Sequence, residues 1–228
     1  WGGGVLLALG LATAAFGVVY AAVQSDMKRL LAYSSIENIG ILYAGIGLTI
    51  VFSAFELGAL AALALAATLY HALNHACFKS LLFLVTGSVL HATRERSLGR
   101  LGGLMRSMPW VAWLGLVGTL AIAGLPPLNG FVSEWLLLQS FLFTPTIPQT
   151  FANMLIPVGA AVLALVAALS AYVMVKFYGV IFLGQLREAA RARAPDAGGC
   201  VTAGLAWRAI GCVLLGLFPA QVIGALGA

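Results

Sequence analysis

Apolar residues run along this chain in long unbroken stretches separated by short clusters of charge, rather than alternating with polar ones. Helices of about 20 apolar residues cross the roughly 30 Å hydrocarbon layer of a membrane. Such stretches fall at roughly 2–23, 31–51, 57–90, 108–143, 152–184 and 201–225. The pattern predicts an all-α fold, a polytopic membrane helix bundle of about six transmembrane segments. The third and fourth stretches are too long for simple spans. The fourth also carries Leu125-Pro126-Pro127-Leu128-Asn129-Gly130 in its middle. Two consecutive prolines remove two backbone donors and clash with the preceding turn, so no continuous helix passes through them. This span is expected to be discontinuous at Leu125–Gly130.

Charge placement decides whether 108–143 crosses once or twice. Lys28 and Arg29 lie between the first two segments, and Arg94, Arg96, Arg100 and Arg106 between the third and fourth. Arg187, Arg191 and Arg193 lie between the fifth and sixth. Counting 108–143 as one broken crossing puts all three basic loops on the same side, which the positive-inside rule makes cytoplasmic. Broken helices at membrane depth are tolerated where they line a cavity or are buried in protein, and in transporters they often mark the ion site. Thr144-Pro145-Thr146-Ile147-Pro148 is then a turn on the outer side, and 185–199 a charged connecting loop.

Composition supports the same class. Of 228 residues, 62% are hydrophobic and 8% charged, with a mean hydropathy of +1.04, whereas soluble domains carry about 25% charged residues. The net charge of +5 gathers in interhelical stretches, so it serves membrane orientation and implies no nucleic-acid partner. Cys77, Cys200 and Cys212 stand apart, with no CxxC or Cys/His cluster, which argues against a metal or iron–sulfur cofactor here. Cys77 and Cys212 read as small packing residues.

The candidate chemistry lies in Tyr70-His71-Ala72-Leu73-Asn74-His75-Ala76-Cys77-Phe78-Lys79. His71, His75 and Lys79 recur every four residues, so they form one stripe of about 12 Å along an apolar helix. Facing lipid each would be costly, so the stripe should face protein or water. Histidine exchanges protons near neutral pH, and the spacing suits a water-linked proton relay. The alternative is a polar helix–helix contact with the lysine snorkelling outward. Glu134, seven residues past the double proline, is either a first-turn acid favoured by the helix dipole or a mid-membrane functional carboxylate. Glu37 follows Ser34 in capping-box spacing, yet lies inside an apolar span. Lys176 either snorkels or extends the polar file. Asp26 and Lys28, with Arg29, are topology anchors or an ionic switch. Trp110, Trp113 and Trp207 read as interfacial anchors.

Several of these stretches resemble a known family. Gln24-Ser25-Asp26-Met27-Lys28-Arg29-Leu30-Leu31-Ala32-Tyr33-Ser34-Ser35 resembles the signature of antiporter-like subunits. These are the proton-pumping membrane subunits of respiratory complex I, Mrp-type antiporters and membrane-bound hydrogenases. The His71–Lys79 stripe and Ala123-Gly124-Leu125-Pro126-Pro127-Leu128-Asn129-Gly130-Phe131-Val132-Ser133-Glu134-Trp135 are similar to the family's later helices. Ser35-Ile36-Glu37-Asn38-Ile39-Gly40 and Val175-Lys176-Phe177-Tyr178-Gly179 look most like the hydrogenase-4 component B branch, the formate hydrogenlyase subunit 3 type.

The resemblance implies a proton-translocating membrane subunit of a redox-driven complex in a prokaryotic inner membrane, itself holding no cofactor. Lys79 would be the central lysine of the polar axis, His71 and His75 would connect to it, and Glu134 would be its terminal acid. Residues 1–228 would be the C-terminal part of the ion-translocating domain, one half-channel, with the family's earlier helices preceding residue 1. The implied partners are other membrane subunits, soluble redox subunits of [NiFe]-hydrogenase or iron–sulfur type, and the lipid bilayer. Protons are the implied ion. A Na⁺/H⁺ antiporter subunit of Mrp type and a non-conducting hydrogenase anchor remain the alternatives.

Overall fold

A computed structural model describes residues 1–185, 187 and 194–226. The predicted Arg191 and Arg193 lie outside them. The described residues form eight α-helices: α1 (Gly2–Val23), α2 (Met27–Ala54), α3 (Gly58–Thr93), α4 (Pro109–Ile122), α5 (Asn129–Leu142), α6 (Thr150–Phe182), α7 (Gly199–Leu217) and α8 (Pro219–Leu226). Two single 3-10 turns, Leu98–Arg100 and Leu104–Arg106, precede α4. Among these residues the only β feature is an isolated bridge between Asp26 and Ser97.

The chain forms a polytopic membrane helix bundle. Five helices (α1, α2, α3, α6 and α7) are each long and apolar enough to cross a membrane. The sixth crossing is the broken pair α4–α5. Each half, at 14 residues, is about 21 Å long, too short to span alone. Their ends fix the count. Asp196 accepts from the first backbone amides of α4, Trp110 at 2.9 Å and Val111 at 3.4 Å, so α4 starts beside the loop that precedes α7. At its own start, α6 packs Phe151 against Trp1 with tilted rings at a centroid distance of 6.3 Å, at the opposite end of the bundle. An odd number of crossings must separate the two starts, and the break at 123–128 makes them one.

The basic loops share one face. Leu98 donates to the Ser25 carbonyl at 2.7 Å and Met27 to the Arg96 carbonyl at 3.0 Å. The Arg96 guanidinium pairs with Asp26 at 3.0 Å. Arg187 donates to the Gly99 carbonyl at 2.6 Å.

Packing between α1 and α2 rests on small residues at heptad spacing. A Cβ at Gly10 would stand 2.3 Å from the Ala44 nitrogen, one at Gly17 2.4 Å from Glu37 N, and one at Gly40 2.3 Å from Ala14 N. The two backbones touch, as small residues permit where lipid gives no hydrophobic drive to pair helices. That contact seats Glu37 against α1.

Three local expectations change. Helix α2 begins at Met27 with Asp26 as its N-cap, so Ser34 and Glu37 sit within the helix and form no capping box. An N-cap needs a non-helical backbone at its own position. Likewise α5 begins at Asn129, which puts Glu134 in the second turn, beyond the first-turn donors that a capping acid serves. The last stretch does not continue to 225 as one helix. Phe218 interrupts it ahead of Pro219, where the ring cannot extend the ladder of α7.

Candidate ion-translocation site

Buried polar side chains concentrate where α3, α2, α6 and the break in the fourth span meet. On α3, His71 is fully buried and its Nδ1 lies 3.0 Å from Ser133 Oγ on α5. The Ser133 hydroxyl donates to the Gly130 carbonyl at 3.1 Å. With that proton so used, His71 donates through Nδ1, and Nε2 becomes an acceptor with no partner among the described residues. One turn on, Asn74 donates to the Asn129 carbonyl at 2.8 Å, and Asn129 Nδ2 donates back to Asn74 Oδ1 at 3.2 Å. This pair clamps α3 to the first residue of α5. His75, half-buried, holds an edge-on contact with Phe78, with ring centroids 5.6 Å apart. Its Nε2 also meets no partner.

Lys79 is 5% exposed and donates to the Leu31 carbonyl of α2 at 3.3 Å. Its electrostatic neighbours are His75 and Glu37. Glu37, 2% exposed on α2, faces Lys79 without the close contact of an ion pair. The hydroxyls of Ser34 and Ser170 face its carboxylate, while Glu37 Oε2, Ser34 Oγ and Asn38 Oδ1 are buried with no hydrogen-bond partner among the described residues. Such groups are rare in folded proteins, and bridging water is their usual partner.

Ser170, on α6, carries the polar file towards the break. It is 2% exposed, and its Oγ lies 3.5 Å from the carbonyl of Ile122, the last residue of α4. The chain then turns at Gly124, whose φ of +65° a side chain would strain. The Glu134 carboxylate rests there, with Oε2 2.9 Å from where a Gly124 Cβ would stand. Half-buried, Glu134 lines a cleft with Phe131, Trp135 and Leu163. Its charged neighbour is Glu37, not the histidines.

The structure thus gathers His71, His75, Lys79 and Glu37, and reaches Glu134 by way of α2 and α6. The remaining candidates sit at the loop face. Lys176 Nζ donates to the carbonyls of Ala22 and Gln24 at 2.7 and 2.8 Å and so caps the end of α1. Asp26 accepts from the Lys28 and Arg29 amides at 2.9 and 3.1 Å, and Lys28 is exposed. Sequence reasoning assigned no role to Asn74, Asn129, Ser133 or Ser170. Asn74 shares the stripe of His71 and His75, and Asn129 follows the double proline directly, so both carried a signal. A lone serine in the apolar run of α6 carried none.

A helical membrane bundle with buried titratable side chains gathered beside a broken span defines the antiporter-like class of membrane subunits. Residues 3–155 match the family described as NADH:quinone oxidoreductase/Mrp antiporter, TM, and the chain belongs to it. It is 43% identical to formate hydrogenlyase subunit 3 of Escherichia coli (strain K12) over 217 residues, covering 95% of this chain and 36% of that protein. Hydrogenase-4 component B of the same organism is 35% identical, covering 95% of this chain and 32% of its own length. This chain therefore spans about a third of these curated relatives. Among solved structures, a chain of the membrane-bound sulfane sulfur reductase, an archaeal respiratory membrane complex, superposes with a TM-score of 0.79 at 29% identity. That match covers 95% of this chain and 32% of the other.

Proposed function

We propose that these residues form one half-channel of a proton-translocating subunit in a redox-driven membrane complex of the hydrogenase-4/formate hydrogenlyase or NADH:quinone oxidoreductase type. The observation that carries this reading is the run of buried, unpartnered acceptors along one file: His71 Nε2, His75 Nε2, Glu37 Oε2, Ser34 Oγ and Asn38 Oδ1, with the Lys79 ammonium among them. Buried polar atoms of that density in a membrane need water, and water joins them into a proton path. Protons pass between His71, His75, Lys79 and Glu37, and on through Ser170 to Glu134. Glu37 enters the path as a full member.

Energy comes from a redox partner. Moving one charge against 100 mV takes about 2.3 kcal/mol, a scale that a change in the Lys79–Glu37 separation supplies in a low-dielectric interior. In this reading residues 1–228 are the C-terminal part of the ion-translocating domain, the subunit lies in a prokaryotic inner membrane with its basic loops cytoplasmic, and soluble redox subunits of [NiFe]-hydrogenase or iron–sulfur type drive it. Lys79→Met in the full complex is the test. Proton uptake into inverted vesicles should stop while the complex still assembles. Uptake unchanged from wild type removes Lys79 from the mechanism.

A further inference from the structure

Ser133 brings a hydroxyl to the site and no acid or base of its own. It lies one turn past Asn129 in α5, and His71 lies one turn before Asn74 in α3. The Asn74–Asn129 exchange, at 2.8 and 3.2 Å, therefore fixes the two helices right beside the contact between His71 and Ser133. Gly130 tightens the clamp, since its backbone meets the Ala121 carbonyl with no room for a Cβ. All four side chains are fully buried. The hydrogen bonds run one way. His71 Nδ1 lies 3.0 Å from Ser133 Oγ, and the Ser133 hydroxyl reaches the Gly130 carbonyl at 3.1 Å and the Asn129 carbonyl at 3.4 Å. A serine hydroxyl has a single proton. Given to a carbonyl, it leaves the oxygen to accept from Nδ1–H, and the partner of one ring nitrogen sets the state of the other. The chain of donors ends there, because a peptide carbonyl accepts a hydrogen bond and holds no proton to hand on. On its other side, His71 offers Nε2, a buried acceptor with no partner among the described residues, and His75 is its titratable neighbour.

We propose that Ser133 is a positioning residue that holds His71 in the Nδ1–H form, and that His71 is consequently a side station of the proton path rather than a link in it. A proton from the water file binds Nε2 and converts the neutral ring to imidazolium. It leaves by breaking that same Nε2–H bond, and Nδ1 keeps its proton throughout. A link would need the proton to depart from Nδ1 through Ser133, where only the carbonyls of Gly130 and Asn129 follow. The stored charge faces His75, the next base along the file. This assignment rests on the proton-path reading above.

The test uses the full-length protein in its native membrane complex. Nitrogen NMR of the histidine-labelled protein, with the His71 signals identified by their loss in His71→Gln, reads the tautomer without any transport. Wild type should show a protonated Nδ1 and a bare Nε2. Ser133→Gly should move the proton to Nε2, and Ser133→Thr should keep it on Nδ1. A proton on Nε2 in the wild type, or a tautomer indifferent to Ser133→Gly, overturns the proposal. Proton uptake then separates a station from a link. Ser133→Gly should slow uptake about fivefold to tenfold, and uptake at the wild-type rate counts against the proposal. Nδ1-methylhistidine in place of His71, with Ser133→Gly clearing room for the methyl, should recover most of that loss, because Nε2 is again the bare nitrogen. Uptake no faster than with Ser133→Gly alone would mean that protons depart through Nδ1 and would overturn the side station. Unchanged uptake with Lys79→Met is the separate failure of the path reading, and the tautomer spectra do not depend on it.

Discussion

A lysine ammonium inside the hydrocarbon layer persists only where neighbours hold its charge. Lys79 has the Leu31 carbonyl 3.3 Å away and the Glu37 carboxylate within electrostatic range. Removing the acid alone leaves the cation uncompensated, and that costs more than the pair contributes. Glu37→Gln is therefore expected to reduce proton transport as severely as Lys79→Met, measured by the same vesicle uptake, whereas Lys176→Met should leave it near wild type, because Lys176 caps α1 at the loop face. Ser170 gives a finer test. Its hydroxyl faces the Glu37 carboxylate, and a buried polar group left without a partner costs about 1–3 kcal/mol, so Ser170→Ala should slow uptake about tenfold or more. Ser170→Thr, which keeps the hydroxyl, should recover most of the rate. A Ser170→Ala rate within a factor of about two of wild type would place Ser170 outside the path. The spacing of His71, His75 and Lys79 announced a shared face because helical periodicity is local. Glu37 was half-hidden behind its capping-box spacing, and Ser170 gave no sign, since only the approach of α6 to α2 makes its hydroxyl relevant.

Between elements, the first two helices are held by contact of backbones. Gly10, Gly17 and Gly40 leave no room for a Cβ, so Gly40→Val is expected to separate α1 from α2. Overpacking of this kind typically costs 1–3 kcal/mol. The thermal unfolding midpoint of the detergent-solubilised protein should fall measurably. Gly87→Ala, with nothing within 4 Å of its Cβ position, should not lower it. Helix α5 is set differently, by the Asn74–Asn129 exchange and by a Gly130 whose Cβ would fall 1.9 Å from the Ala121 carbonyl. The break itself was legible, because two prolines forbid a continuous helix whatever surrounds them. Its partner was not. Nothing local told that α6 would bring Ser170 to the open end of α4.

For the molecule as a whole, one broken crossing places the basic loops together and the turn at 144–148 opposite them. Membrane-impermeant thiol labelling of sealed vesicles checks this. Cys200, exposed at the start of α7, and a cysteine in place of Lys28 should react from one side. A cysteine in place of Thr146, in a Cys200→Ser background, should react from the other. Labelling of 28 and 146 from the same side would mean that α4 and α5 cross separately. Taken alone, the sequence determined that the chain is a helical membrane bundle, where it breaks, which loops carry positive charge, and that two histidines and a lysine share one face. Each of these follows from spacing, composition or a backbone rule that acts within a few residues. Tertiary structure decided that Glu37 faces Lys79, that Lys176 caps a helix, and that Glu134 is reached through α2 and α6. Those outcomes depend on which faces of distant helices meet, and in lipid that is settled by where small residues let backbones approach, not by any property of the polar residues themselves.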